Sequence, residues 1–408
     1  MEYRFSDTTK HFQSSAVRDI LKLTQGKSVI SFAGGLPAEE LFPADAIKAA
    51  FQAALSSGTA ALQYGLTEGY PLLREALSAR LQSKKIRVTA DEMLLTTGSQ
   101  QAIDLLARVY IDPGDVILVQ QPTYLAALQV FQAKGATVIS VDGDEHGMDL
   151  EDAEDKIRRY QPKLLYVCPT FSNPTGYVWS TERRLGLLKL CRQHNVLILE
   201  DDPYGELQYG EEDFFPSLFS LDEHPHGSVV IYTGTFSKIA APALRTGWAI
   251  GDPQVIGQMA KAKQAADLHS SSMDQQALYH LLRDFDLNGH VASICKTYEQ
   301  RMLQMDELLS GLRVDGLKWN RPKGGMFLWM ELPENWNAQD LLVEAVAENV
   351  AFVPGSPFYA NTPKLNTARM NFTHSDSDTM ALGFQRLERA MNTYAQSLKP
   401  SAIPGQVS

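Results

Sequence analysis

Lys238 lies in the run Tyr232-Thr233-Gly234-Thr235-Phe236-Ser237-Lys238, and Arg245 follows seven residues later. A primary amine in such a loop can condense with an aldehyde, a role that falls to lysine. The hydroxyls of Thr235 and Ser237 and the guanidinium of Arg245 are phosphate ligands, and arginine can make a forked, bidentate contact. An aldehyde and a phosphate on one small molecule point to pyridoxal 5'-phosphate (PLP). Ser-Lys alone would read far better as a surface lysine on a loop near a helix start. The full spacing, and the partners found elsewhere in the chain, favour the cofactor.

Gly98-Ser99-Gln100 ends an apolar run and opens a helical pattern. Free N–H groups at a helix start bind phosphate, and glycine allows close approach. The plainer alternative is a helix cap with Ser99 as the capping residue, and both can hold at once. Asp201 follows the run Val196-Leu197-Ile198-Leu199-Glu200. A carboxylate there can pair with a protonated pyridine nitrogen and keep the ring an electron sink. Glu200 and Asp202 are its neighbours, and side-chain chemistry alone does not choose among the three acids. Asn173-Pro174-Thr175-Gly176 has the composition of a turn. The Asn173 amide and the Tyr204 hydroxyl can both donate to the cofactor's phenolic oxygen. Tyr124 can stack on the pyridine ring or simply pack in the core. Arg369 stands among apolar neighbours in Thr367-Ala368-Arg369-Met370-Asn371-Phe372. It either snorkels or, facing a cleft, clamps a carboxylate.

The elements that must position these residues alternate. Met93 to Thr97, Val116 to Gln120, Thr137 to Val141, Leu164 to Cys168, Val196 to Glu200 and Val229 to Tyr232 read as buried strands. Trp248 to Ile250 is a further apolar segment, and helices are expected at Ser99 to Ile111 and Tyr124 to Ala133. This alternation implies an α/β chain with a mainly parallel sheet, whose ligands sit beyond the carboxyl ends of the strands. The motifs above fall at those ends. Toward the N-terminus a helix is expected over Ser15 to Leu23, followed by the segment Val29 to Phe32 and the turn Gly34-Gly35-Leu36-Pro37. Beyond about residue 290 the pattern turns to long helices with isolated strands, Met326 to Glu331 and Arg369 to Phe372. The tail from Lys399 reads as a frayed terminus.

At 408 residues, 44% hydrophobic and 21% charged, the composition is that of an ordinary globular protein with more than one domain. A net charge of −11 argues against a nucleic-acid partner, and no apolar run is long enough to suggest a membrane span or a signal peptide. The three cysteines, Cys168, Cys191 and Cys295, have neither metal-ligand nor disulfide spacing, which suits a reducing cytoplasm. No metal site is expected.

Together these residues resemble the fold-type I, PLP-dependent aminotransferases, and most of all the kynurenine/α-aminoadipate aminotransferase group. The resemblance runs through nearly the whole chain. It is carried by Ser15-Ala16-Val17-Arg18, Ile30 to Pro43, Gln63-Tyr64-Gly65 with Gly69 to Leu73, Pro169 to Gly176, Glu200 to Tyr204, and Gly234 to Arg245. It implies a large α/β domain with a mainly parallel seven-stranded sheet and a smaller α+β domain. The arm and part of the small domain fall in residues 1–50, the PLP-binding domain in 51–290 and the rest of the small domain in 291–408.

By position, the resemblance makes Lys238 the Schiff-base lysine and proton shuttle and Asp201 the partner of the ring nitrogen. Asn173 and Tyr204 hold the phenolic oxygen, and Tyr124 stacks. Ser99, Gln100, Thr235, Ser237 and Arg245 hold the phosphate, joined by Tyr64 of a second subunit in a homodimer. Arg369 takes the substrate α-carboxylate, Gly35 lines the substrate pocket, and Arg18 on a movable N-terminal helix meets an acidic side chain. Thr235 stands where the family carries serine and keeps the hydroxyl. The activity implied is ping-pong transfer of the amino group of an α-amino acid, of 2-aminoadipate, aromatic or branched-chain type, to a 2-oxo acid such as 2-oxoglutarate. The same cofactor residues also suit a β-lyase, a racemase or a decarboxylase. A PLP-sensing regulator would need a DNA-binding module, for which the segments beginning at residue 15 leave no room.

Overall fold

The structure is a computed structural model that describes residues 1–12, 20, 29–210, 215–222 and 227–398. The expected helix over Ser15 to Leu23, with Arg18, and the tail from Lys399 lie outside the described residues, Ile20 aside.

In chain order the strands are β1 (Ile30–Ser31), β2 (Met93–Thr96), β3 (Val116–Gln120), β4 (Thr137–Val141), the short hairpin β5 (Gly143–Asp144) and β6 (Gly147–Met148), β7 (Leu164–Val167), β8 (Leu197–Asp201), β9 (Val230–Thr235) and β10 (Gly247–Ile250). A second set follows: β11 (Lys318–Trp319), β12 (Phe327–Glu331), β13 (Val350–Ala351), β14 (Val353–Pro354) and β15 (Thr367–Asn371). Seven of them form one sheet in the order β2-β10-β9-β8-β7-β3-β4. Neighbours run parallel except at β10, which is antiparallel to both β2 and β9.

These strands are apolar on both faces because both faces are covered. Leu95, Leu118, Leu165 and Ile198 enter one buried cluster, while Leu94, Val119, Tyr166 and Leu199 enter another on the opposite side. Each fully buried leucine contributes about 1.5–3 kcal/mol relative to exposure. Chain direction across the sheet reverses between β3, which leads outward to β4, and β7 on its other side. In open α/β sheets such a switch point leaves a crevice at the carboxyl ends. Tyr124 follows β3 there and Asn173 follows β7.

The smaller sheet has the order β11-β12-β15-β14 and is antiparallel. The N-terminal segment is stitched to the same region. β1 pairs in parallel with β13, and Asn371 N donates to Phe32 O at 2.8 Å. This carries Ala33 and Gly35 from the N-terminal segment to the mouth of the large sheet. Long helices, Leu287–Gly311 and Ser377–Ser397, pack beside it. Arg369, expected at the start of its strand, stands in the middle, because the pairing with β12 begins at Thr367↔Glu331.

Candidate active site

The lysine loop is built by its own hydroxyls. Thr235 ends β9 and caps the single turn Phe236–Lys238, its Oγ1 accepting from Ser237 N at 3.2 Å. The Thr235 and Ser237 hydroxyls lie 2.8 Å apart. Lys238 Nζ donates to Gly35 O at 2.9 Å, so the amine spans from the sheet to the N-terminal segment. Withdrawal from water, reinforced by the charges of Arg369 and Arg245, lowers the amine to about 8. A proton is therefore easily removed from it near neutral pH.

Arg245 sits in the left-handed region, φ 43°, which turns its side chain back over the loop. Its guanidinium reaches Thr97 O at 3.4 Å and Ser237 Oγ at 3.5 Å. Gly98, φ 76°, precedes the helix Ser99–Tyr110, and a Cβ there would stand 2.7 Å from Arg245 Nη2. Gly247 on β10 is equally bare, since a Cβ would meet Gly98 C at 2.7 Å and Ser99 N at 2.8 Å. The helix start, two hydroxyls and a guanidinium thus converge in one cup, with Gln100 Oε1 buried beside it and without a partner among the described residues. Helix dipole, N–H groups and permanent charge all favour a phosphate there.

The three adjacent acids differ in what occupies their oxygens. Glu200 accepts from Leu218 N at 2.8 Å and Phe219 N at 2.9 Å, with Arg184 nearby at 3.8 Å. Asp202 accepts from Gly205 N at 2.8 Å and Tyr232 OH at 2.9 Å. Asp201 accepts from Tyr166 OH at 2.9 Å through Oδ2, while its Oδ1 is buried with no partner among the described residues. Burial lifts this carboxyl to about 7, and Tyr166 works against the lift. An open carboxylate oxygen in a dry site calls for a cationic or donor partner. Tyr124 caps the helix Leu125–Ala133 close by, and its phenol is pushed up to about 12, by burial first and then by the Asp201 charge.

Asn173 is buried, and its Oδ1 accepts from Arg369 Nη1 at 2.7 Å, which leaves the amide NH₂ to donate elsewhere. Tyr204, also buried, packs edge-on against Phe327 with ring centroids 5.8 Å apart. Arg369 Nη2 donates to Ala33 O at 2.6 Å, while Nε is buried without a partner among the described residues. The guanidinium lies 4.3 Å from the Phe327 ring centroid and 5.1 Å from that of Phe358. Burial pulls it down to about 10, and among the described residues no carboxylate pairs with it. Gly35 faces the same ring, and a Cβ there would be 3.2 Å from Phe327 Cζ. Tyr64 does not join this cluster within the chain. It is 78% exposed, its ring edge against His269.

These residues fit PLP: a cup for its phosphate, an open buried acid oxygen for its ring nitrogen and a low-pKa amine for its aldehyde. The aminotransferase class I and II family profile matches residues 27–386. The chain belongs to that family. A 2-aminoadipate transaminase of Thermus thermophilus is 39% identical over 388 residues, 95% of this chain and 96% of the relative. Aromatic-amino-acid aminotransferase 1 of Thermococcus litoralis is 39% identical over 393 residues, 95% of this chain and 93% of the relative. Among solved structures, an α-aminoadipate aminotransferase of Thermus thermophilus, complexed with N-(5'-phosphopyridoxyl)-L-leucine, superposes with TM-score 0.90 at 37% identity. That match covers 97% of this chain and 98% of the other. The aminotransferase is accordingly a fold-type I, PLP-dependent enzyme that transfers amino groups between amino acids and 2-oxo acids. No helix among the described residues is long and apolar enough to cross a membrane.

Motif reading missed several parts of this aminotransferase site. Phe327 and Phe358 flank Arg369 from segments far from it in sequence. Arg184, fully buried, donates to Pro169 O at 2.9 Å and Thr170 Oγ1 at 3.0 Å and so holds the approach to Asn173. Tyr166 lies inside an apolar strand. Its one signal was that a buried tyrosine hydroxyl needs a partner.

Proposed function

We propose that this aminotransferase takes 2-aminoadipate, aromatic or branched-chain amino acids as donors and 2-oxoglutarate as acceptor, on the residues assembled above. The observation that carries the reading is Arg369: a buried guanidinium with no carboxylate of its own among the described residues, walled by two aromatic rings. A buried cation left unpaired is costly, so the site favours a substrate that brings the missing anion. The α-carboxylate is the group shared by every amino acid and 2-oxo acid in the reaction.

PLP, when bound, supplies an aldehyde carbon that carries the amino group and a protonated ring that draws off the electron pair left at the α-carbon. Ser99, Gln100, Thr235, Ser237 and Arg245 would hold its phosphate, and Asn173 and Tyr204 would donate to its phenolic oxygen. Tyr124 would cover the ring and Asp201 would pair with its nitrogen. With the cofactor in place, Lys238 Nζ would be the base that takes the substrate's α-proton and the acid that gives a proton back. Its lowered basicity suits it to do both near neutral pH. Asn173 and Arg369 together set the direction from which the α-carboxylate enters.

The assembly we propose is a homodimer in which Tyr64 reaches the phosphate of the second subunit. Tyr64 stands among other exposed apolar side chains, Leu62, Leu66 and Leu268, which a second copy would cover. We also divide the chain into residues 1–50, 51–290 and 291–408, as the resemblance implies, and place it in a reducing cytoplasm in keeping with its free cysteines. Arg18 lies outside the described residues, and its role is read from sequence. It pairs with the acidic side chain of glutamate or 2-aminoadipate and withdraws for apolar donors. First-half-reaction rates over a donor panel, followed by 2-oxoglutarate, test the whole reading. Glutamate must accumulate in step with the donor's 2-oxo acid, and Arg18→Ala must slow acidic substrates while sparing apolar ones. A panel in which only donors of another class react, or equal losses for both classes in Arg18→Ala, would refute it.

A further inference from the structure

Tyr166 lies in mid-strand on β7, with its ring edge against Phe131 at a centroid distance of 5.7 Å. The β7–β8 register sets Tyr166 beside Leu199, and Asp201, two residues on, faces the same side of the sheet. The hydroxyl meets the carboxylate there at 2.9 Å, and both residues are buried.

Resting on the assignment of Asp201 to the cofactor's ring nitrogen, we propose that Tyr166 is a positioning residue for that contact: it fixes one oxygen of Asp201, so that the other is presented, ionised, to the nitrogen. Three observations support this. Burial and the adjacent Asp201 charge hold the Tyr166 phenol well above its ordinary range, so it is a neutral donor at every physiological pH. The donated bond occupies Oδ2 alone and leaves Oδ1 unpartnered, whereas Glu200 and Asp202 on either side each draw two donors from the protein. The ring cannot drift, because Phe131 belongs to the helix Leu125–Ala133 that Tyr124 opens. The residue that covers the cofactor ring and the residue that steadies its acid are thus braced by the same helix.

A carboxylate in a dry site with only one partner is a stronger base, and without Tyr166 it would take back the proton that the ring nitrogen should hold. The test is solid-state ¹⁵N NMR of the holoenzyme carrying PLP labelled at the ring nitrogen, with PLP binding to the apoenzyme measured by equilibrium dialysis. Tyr166→Phe keeps the ring and its contact with Phe131. It is expected to move the ¹⁵N shift from the protonated toward the unprotonated value, between the parent and Asp201→Asn. The same change should weaken PLP binding by roughly tenfold, the equivalent of raising the Asp201 carboxyl by about one pKa unit and so weakening its ionised pairing with the ring nitrogen. Phe131→Leu keeps the hydroxyl but loosens it, and should move both quantities the same way by less. A Tyr166→Phe holoenzyme with the parent shift and PLP affinity within about twofold would overturn the proposal while leaving Asp201 in its role. An Asp201→Asn holoenzyme with the parent shift would instead refute the assignment of Asp201, and the proposal with it.

Discussion

Arg369 donates a 2.7 Å hydrogen bond to Asn173 Oδ1, joining the middle of β15 to the loop after β7 across 196 residues of chain. The bond turns the Asn173 amide so that its NH₂ faces away from the arginine, and it fixes one edge of a guanidinium already stacked between two rings. The residue proposed to bind substrate and a residue proposed to bind cofactor are therefore set by one contact. Arg369→Ala should lower kcat/KM by about 10²–10³-fold for every donor and for the 2-oxo acid acceptor alike, as expected on removing one partner of a buried charge pair. Folding should not suffer, because the variant loses a buried, unneutralised cation. Half-reaction stopped-flow traces with one acidic and one apolar donor check this. A loss confined to one class would mean that Arg369 reads the side chain instead of the α-carboxylate.

Lys238 is expected to be the only lysine that borohydride links to PLP, on a peptide map of the reduced yellow holoenzyme. Lys238→Ala should still bind cofactor through the cup and the ring, yet lose turnover by about 10³-fold or more. The parent apoenzyme offers a second reading. Its Lys238 amine, lowered to about 8, is mostly protonated below that pH and mostly free base above it. Covalent uptake of PLP, followed by absorbance, should accelerate as pH rises toward about 8 and level off beyond. A rise that continues toward the ordinary lysine range would mean that the amine is not desolvated.

Much of this candidate site is legible in the sequence, and what is not follows a physical pattern. β3 and β4 coincide end to end with the expected Val116 to Gln120 and Thr137 to Val141: β3 is a central strand with an apolar interior, and β4, at the sheet edge, is a short β-branched segment bounded by turn residues. Lys238, Arg245 and Gly98 were found because close neighbours in sequence built their loops. Asp201 was expected just past its strand and is instead the last residue of β8, paired with Thr233 of β9. Tyr166, Phe327 and Phe358 carried no local mark. Their roles arise from strand register and from packing between segments distant in sequence, which no single window of sequence holds. The choice among Glu200, Asp201 and Asp202 was of the same kind, since it turns on which backbone N–H groups reach which oxygen.

Asp201 makes the stability of the apoenzyme depend on pH. Its carboxyl stands at about 7 in the folded protein against an ordinary 3.8. Between those values the folded state keeps a proton that the unfolded chain has released, so stability falls as pH rises from about 4 to about 7. Above 7 the full cost of the buried charge is in force. Asp201→Asn mimics the protonated acid and can still accept from Tyr166, so it should relieve that cost. Denaturant titrations of the two apoenzymes should agree near pH 4 and diverge with rising pH, the variant ending about 2–4 kcal/mol more stable at pH 8. With PLP present the order should narrow or reverse, because only the parent offers the ring nitrogen an anion. Parallel pH profiles for the two apoenzymes would show that the acid is ionised throughout and that burial has not raised it.

Gly98 and Gly247 touch the same cup and should fail in different ways. Gly98 holds a left-handed backbone, φ 76°, and a Cβ would press on Arg245 Nη2 at 2.7 Å. The obstructed atom is the end of a long side chain that can swing aside. Gly98→Ala should therefore fold with a loss of about 1–2 kcal/mol from the backbone conformation and give up the guanidinium's place over the helix start. PLP retention should drop roughly tenfold, the worth of one charge-assisted contact. At Gly247 the obstructing atoms are backbone: Gly234 O at 2.7 Å, Gly98 C at 2.7 Å and Ser99 N at 2.8 Å. None of these can yield without parting β10 from β9 or from the turn after β2. Gly247→Ala should thus lower the midpoint of thermal unfolding well before any effect on cofactor affinity is measurable. Calorimetry of the two apoenzymes beside PLP dialysis separates the cases. The account fails if Gly98→Ala unfolds as readily as Gly247→Ala, or if Gly98→Ala retains PLP as well as the parent.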